Sequence, residues 1–118
     1  MVVGHHPMYS NGKYHGGDKA TRSTWEPLLK SCGVDVYLAG HEHHLEHFPG
    51  DIDHVISGAA GKPRAVQPEA NRIGGSKYAL GQAGFAVLTF TPSAMKGEFF
   101  HGLTGDSVYT WTKTLSSP

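Results

Sequence analysis

Short β-branched, apolar runs alternate along this chain with polar, glycine-punctuated stretches, and the spacing of the apolar positions assigns an element to each run. Val2-Val3, just before Gly4, reads as a short buried strand, and Met8 to Lys19 as a polar loop. Around Ser23 to Cys32 the period changes. Trp25, Leu28, Leu29 and Cys32 stand at i, i+3, i+4 and i+7, the single apolar stripe of a helix. Ser23 or Thr24 can cap it, Glu26 suits its positive end, Pro27 is tolerated in a first turn, and Gly33 ends it. Val34 to Ala39 is the next strand. The order strand, helix, strand predicts a βαβ unit with parallel strands and a right-handed crossover. His54 to Gly58 reads as a further strand, followed by a long Gly/Pro/Lys/Arg segment from Ala59 to Gln82. Structureless segments of that length inside a domain are usually functional or disordered. Gly84 to Thr91, Met95 to His101 and Ser107 to Thr114 have strand length and are separated by turn signals, which predicts an antiparallel meander. No internal repeat, low-complexity tract or linker interrupts the pattern.

Composition narrows the function classes. A length of 118 residues suits one core and not two. Lys+Arg and Asp+Glu number 10 each, which argues against the basic footprint of a nucleic-acid binder. No apolar run approaches the ~18 residues of a membrane span, and Met1 to Gly4 has no basic n-region or h-region, so the visible chain reads as soluble with no membrane partner. Cys32 is the sole cysteine and excludes an internal disulfide. The outlier is histidine, with nine residues.

Those histidines cluster where the predicted strands end. Gly4-His5-His6-Pro7 follows Val2-Val3, and Gly40-His41-Glu42-His43-His44 follows Val34 to Ala39. A strand that ends in Gly-His places imidazole on the rim of a sheet, where open α/β folds hold ligands. In regular strands His5 and His6 would face opposite ways, whereas His41 and His43 would share a face. One member of the first pair is therefore expected to join the second pair at a common metal site. Imidazole suits zinc, iron, copper or nickel without choosing among them. His44, His47, His54 and His101 read as surface or hydrogen-bonded histidines.

Gly4-His5-His6-Pro7-Met8-Tyr9-Ser10 and Asp35-Val36-Tyr37-Leu38-Ala39-Gly40-His41-Glu42-His43 together resemble the later motifs of the calcineurin-like metallophosphoesterases, on the side of the purple acid phosphatases. The family pattern is Gly-His-x-Pro, a helix, then Gly-His-x-His. The resemblance implies the C-terminal half of an α/β/β/α sandwich: a parallel βαβ unit followed by antiparallel strands, within a single catalytic domain whose N-terminal half would precede residue 1. It also implies two divalent or trivalent metal ions, iron paired with iron, zinc or manganese, acting on a small phosphoester. His5 and His41 would hold one metal and His43 the other. His15 would sit on the substrate side, bonding the phosphate or helping to protonate the leaving group, and His6 would stand behind the ligands. The family's carboxylate motifs have no counterpart here, since Asp18, Asp35, Asp51, Asp53 and Asp106 fall in the wrong order and context. The resemblance further implies a secreted or lysosome-like location.

Two other classes fit parts of the pattern. A cupin-like barrel uses His-x-His followed by Glu, but Glu46 stands too close to His43 and a helix does not belong in the barrel. A non-catalytic metal-binding module would keep the histidines without the carboxylates.

Overall fold

The computed structural model describes residues 1–116. Nine elements follow one another: β1 (Val2–Val3), α1 (Lys19–Ser31), β2 (Val36–Ala39), β3 (Leu45–Phe48), β4 (Asp53–Ser57), β5 (Tyr78–Leu80), β6 (Gly84–Phe90), β7 (Ala94–His101) and β8 (Ser107–Thr114), with a 3-10 turn at Glu69–Asn71. They build two sheets, in the orders β1-β2-β4-β3-β5 and β6-β7-β8. The first is mixed. Strands β1, β2 and β4 run parallel, while β3 is antiparallel to both β4 and β5. The second is the expected meander.

The period-2 alternation explains the layering. In β2, Val36 and Leu38 pack toward the second sheet together with Leu45, Val55, Met95 and Phe99, whereas Tyr37 and Ala39 pack toward α1 with Met8, Leu29 and Ile52. The result is a helix over one face of the mixed sheet and the meander over the other. This is the α/β layering that the resemblance to metallophosphoesterases implies. Phe85, Val87 and Phe90 remain half-exposed on the meander, where the outer helical layer of a four-layer sandwich would lie.

Three expectations need correction. The helix starts at Lys19, because the Asp18 carboxylate accepts from the Ala20 and Thr21 amides and caps it there. Ser23 and Thr24 therefore lie inside it, and Pro27 falls within the helix instead of its first turn. The apolar stripe is not buried throughout either. Leu29 is buried, but Trp25 and Leu28 are each 49% exposed and Cys32 is exposed. Trp25 lines a groove with Val2 and Val3 of β1, an edge strand whose Val3 is also open to solvent. Finally, the pattern missed β3 and β5. Leu45–Phe48 is buried at every position, so it lacks polar alternation, and Tyr78–Leu80 is a short strand inside the expected loop.

Two buried polar networks hold the layers in register. Glu46 is fully buried on β3 and accepts from the Asn11 amide (2.9 Å), Asn11 Nδ2 (2.7 Å) and Ser76 Oγ (2.7 Å), with His44 Nε2 at 2.7 Å. Burial alone would raise its pKa, but these hydrogen bonds outweigh it and hold the carboxyl below the usual range. On the other face of the sheet, Asp53 takes Trp111 Nε1 (3.1 Å) and His47 Nε2 (3.1 Å), while His47 Nδ1 meets the Tyr109 hydroxyl (3.0 Å). This network joins the two sheets. His44 and His47 are thus structural hydrogen-bonded histidines, as the sequence suggests, and His101 bonds Gln82.

Candidate metal centre

The parallel strands β1, β2 and β4 all deliver their C-terminal ends to one rim. Pairing continues just past β1 and β2 through Gly4 N to Leu38 O (2.9 Å) and Gly40 N to His5 O (3.1 Å), after which both chains turn away. Gly4 is required by a close approach: a Cβ there would lie 2.0 Å from the Tyr37 hydroxyl, which bonds the His6 carbonyl at 2.9 Å. Beyond Gly40, His41 has φ +60°, the one non-glycine residue with left-handed backbone among those described. Strained backbone of this kind concentrates at functional sites, where surrounding structure enforces it.

The rim gathers imidazoles from three segments. His5 Nε2 and His41 Nδ1 stand 3.3 Å apart, and the rings of His6 and His15 lie 4.4 and 5.1 Å from that of His41. Both His5 and His6 join His41, contrary to the strand argument, because residues 4–8 have left the regular strand and no longer alternate. The ligand atoms of His5, His6 and His41 fall within 4.8 Å of one another, as do those of His15, His41 and Glu42. His43 belongs to neither group: residues 41–44 form bends, so the expected shared face is lost. Burial first, then the positive charge of His6, His15 and His5, pushes the His41 pKa below that of a free histidine.

Each side histidine has its tautomer set by a neighbour. His43 Nδ1 lies 2.8 Å from the Lys62 carbonyl, which can only accept, so Nδ1 carries hydrogen and neutral His43 keeps a lone pair on Nε2. Arg64 Nη1 lies 3.2 Å from His15 Nε2, and a guanidinium can only donate, so His15 Nε2 accepts.

The basic run Lys62, Arg64, Arg72 and Lys77 suits an anionic phosphoester or a solvated surface equally in the sequence, and Glu42 is the carboxylate that the metallophosphoesterase resemblance does not assign. Glu42 is 2% exposed, and its Oε1 has no hydrogen-bond partner among the described residues. An orphaned buried carboxylate oxygen is costly unless a cation or proton answers it. Gly12 makes room for it, since a Cβ there would stand 2.2 Å from Glu42 Oε2. The one available signal was the flanking His-Glu-His. As a donor set, imidazoles beside one unsatisfied carboxylate fit a borderline transition-metal ion.

A histidine-rich rim thus stands at the ends of parallel strands, backed by a second sheet, with residues able to hold a metal ion. The comparisons agree. Residues 1–45 match the calcineurin-like phosphoesterase family. Purple acid phosphatase 17 of Arabidopsis thaliana is 34% identical over 121 residues, covering 94% of this chain and 34% of that protein. In fold, the chain superposes on the GAP50 anchor of the Plasmodium inner membrane complex with a TM-score of 0.89 (24% identity, 98% of this chain, 36% of that one). It superposes on a purple acid phosphatase from yellow lupin (Lupinus luteus) seeds with a TM-score of 0.83 (18% identity, 96% and 24%). In sequence and fold the chain thus resembles calcineurin-like metallophosphoesterases of the purple acid phosphatase kind. It spans between 24% and 35% of the length of the first curated relatives it matches.

Proposed function

We propose that this chain supplies the histidine side of a two-metal phosphoester-hydrolysing centre of the acid phosphatase type. In this reading His5 and His41 hold one ion, His43 holds the other, and His15 works on the phosphate of a small phosphoester. The observation that carries it is the convergence of His5, His6, His15 and His41 on one rim around a residue held in left-handed backbone. The Lys62 carbonyl supports His43 as a ligand by fixing the hydrogen on Nδ1 and leaving Nε2 to donate.

When bound, a pair of divalent or trivalent ions, iron with iron, zinc or manganese, would supply positive charge opposite the phosphoryl oxygens and lower the pKa of water. This chain's residues would orient that chemistry. His41 anchors the rim. His15 would hydrogen-bond a phosphate oxygen or pass a proton to the leaving oxygen. Glu42 is the sole carboxylate in the two histidine groups, so most of the compensating negative charge is assigned to a further part of the domain. Residues 1–118 would then be the C-terminal portion of one catalytic domain. The open β1 edge with exposed Val3 and Trp25, and the one-third span of the relatives, support that assignment.

The scarcity of carboxylates also favours a second reading, a metal-binding module without turnover. Metal analysis and hydrolysis assays on the full-length protein decide between them. Two ions per chain with phosphoester turnover are expected, and His41→Ala should lose at least one ion and nearly all turnover. One ion or none, without turnover, would establish the non-catalytic reading. Unchanged metal content in His41→Ala would overturn the ligand assignment.

A further inference from the structure

The segment after β4 is stitched to both histidine clusters. The Lys62 carbonyl takes His43 Nδ1, and the Arg64 amide donates to the His43 carbonyl, each at 2.8 Å. One step further on, the Lys13 amide donates to the Ala65 carbonyl (3.1 Å), Gly12 pairs with Val66 in an antiparallel bridge, and the Gln67 amide donates to the Asn11 carbonyl (2.8 Å). Residues 62–67 therefore run as an extended strip between the His43 bend and the loop that carries His15. The Asn11 end of that loop is fastened from below by Glu46.

Arg64 stands where the two meet. Its side chain is half-buried, its guanidinium lies 4.8 Å over the Tyr14 ring, and Nη1 donates to His15 Nε2 at 3.2 Å. That is its one side-chain hydrogen bond among the described residues, and it goes to a neutral acceptor. None of the ion pairs formed by the described residues includes Arg64. Lys30, Lys96 and Lys113 by contrast all meet carboxylates, and Arg72 is used on the carbonyls of Gln67 and Ala79. A guanidinium offers five donors in a planar fork suited to two oxygens of one phosphate or carboxylate. Here four of them are left, on a side chain whose direction is fixed by an aromatic ring and a histidine. Such a group is preorganised for an anion at the metal rim and has no anion of its own.

We propose that Arg64 is the phosphate-clamping residue of this site, binding the non-bridging oxygens of a dianionic phosphomonoester alongside His15. This rests on the phosphoester reading above and adds a substrate preference to it, monoester over diester. A fork that engages two terminal oxygens gains from the second negative charge that a monoester carries and a diester lacks. The Nη1 bond to His15 also gives the neutral ring its hydrogen on Nδ1, so Arg64 sets which His15 nitrogen can donate.

The test has two arms. In the full-length protein, Arg64→Gln should leave metal content unchanged and lower kcat/KM for p-nitrophenyl phosphate by about 100-fold, the usual cost of losing one preorganised donor. Bis(p-nitrophenyl) phosphate should lose less than about tenfold on the same scale, and Arg64→Lys should recover part of the monoester rate. A purely structural role would depress both substrates equally, and that outcome, or losses under about threefold, would overturn the proposal. The second arm needs no turnover. In the chelator-treated full-length protein, inorganic phosphate followed by NMR should shift the Arg64 and His15 side-chain signals, with affinity at least tenfold weaker in Arg64→Gln. Phosphate binding that ignores Arg64→Gln, or no binding by the wild type, would sink the assignment. Absence of hydrolysis with intact phosphate binding at Arg64 would instead count against the enzyme reading alone.

Discussion

His54 gives the fold a calculable acid sensitivity. It sits on β4 beneath α1, 6% exposed, with its ring against those of Tyr9 (4.9 Å) and Tyr37 (6.0 Å). Nδ1 has no partner, and Nε2 is 3.9 Å from Glu26 Oε1, too long for a hydrogen bond. Burial pushes its pKa from 6.5 down to about 4; Glu26 and Asp53 oppose that shift and Lys30 adds to it. Because the folded pKa is the lower one, the unfolded chain binds more protons between pH 6.5 and 4, and stability falls as pH falls through that window. At ~1.4 kcal/mol per pH unit the loss from this group amounts to about 2 kcal/mol by pH 5 and about 3 kcal/mol by pH 4. The perturbation is His54→Phe, which keeps an aromatic ring between the two tyrosines and removes the proton site. Urea unfolding followed by tryptophan fluorescence at pH 7.5, 6 and 5 measures both proteins. Carboxylates held low in the native state, Glu46 and Asp53 among them, also cost stability in acid, but they are common to both chains and cancel in the difference. The variant should therefore gain about 2 kcal/mol on the wild type between pH 7.5 and pH 5. Parallel stability curves for the two proteins, or a His54 ring that titrates near 6.5 in NMR, would refute the reasoning.

Two further substitutions test the scaffold around the rim. Glu46→Ala strands two Asn11 donors, the Ser76 hydroxyl and His44 in a dry interior, and should cost about 3 kcal/mol or more in thermal unfolding while loosening the His15 loop. Gly12→Ala places a methyl group 2.2 Å from Glu42 Oε2 and 3.2 Å from the His44 ring. It should destabilise by roughly 1–3 kcal/mol and weaken metal retention, whereas wild-type stability would show that Glu42 is free to move.

The sequence by itself determined the local elements and the chemistry of the rim. Strand-length apolar runs at 34–39, 54–58, 84–91, 95–101 and 107–114 became strands, because alternation and turn residues act over a few neighbours. The two Gly-His motifs marked the rim because strand ends and glycines are local signals as well. Tertiary structure decided the rest. Asp18 outcompeted Ser23 and Thr24 as the helix cap once the loop from Pro7 was folded back, with the Asp18 amide on the Pro7 carbonyl at 2.9 Å. Leu45–Phe48 became a central strand by being buried on both faces, which erases the alternation that would announce it. The union of His5, His6, His15 and His41, the unsatisfied oxygen of Glu42 and the placement of Arg64 between His15 and Tyr14 depend on segments up to 49 residues apart in the chain. No periodicity spans such separations. They are brought together by the hydrogen-bonded strip at 62–67 and the parallel register of β1, β2 and β4, which exist only once the sheet has formed.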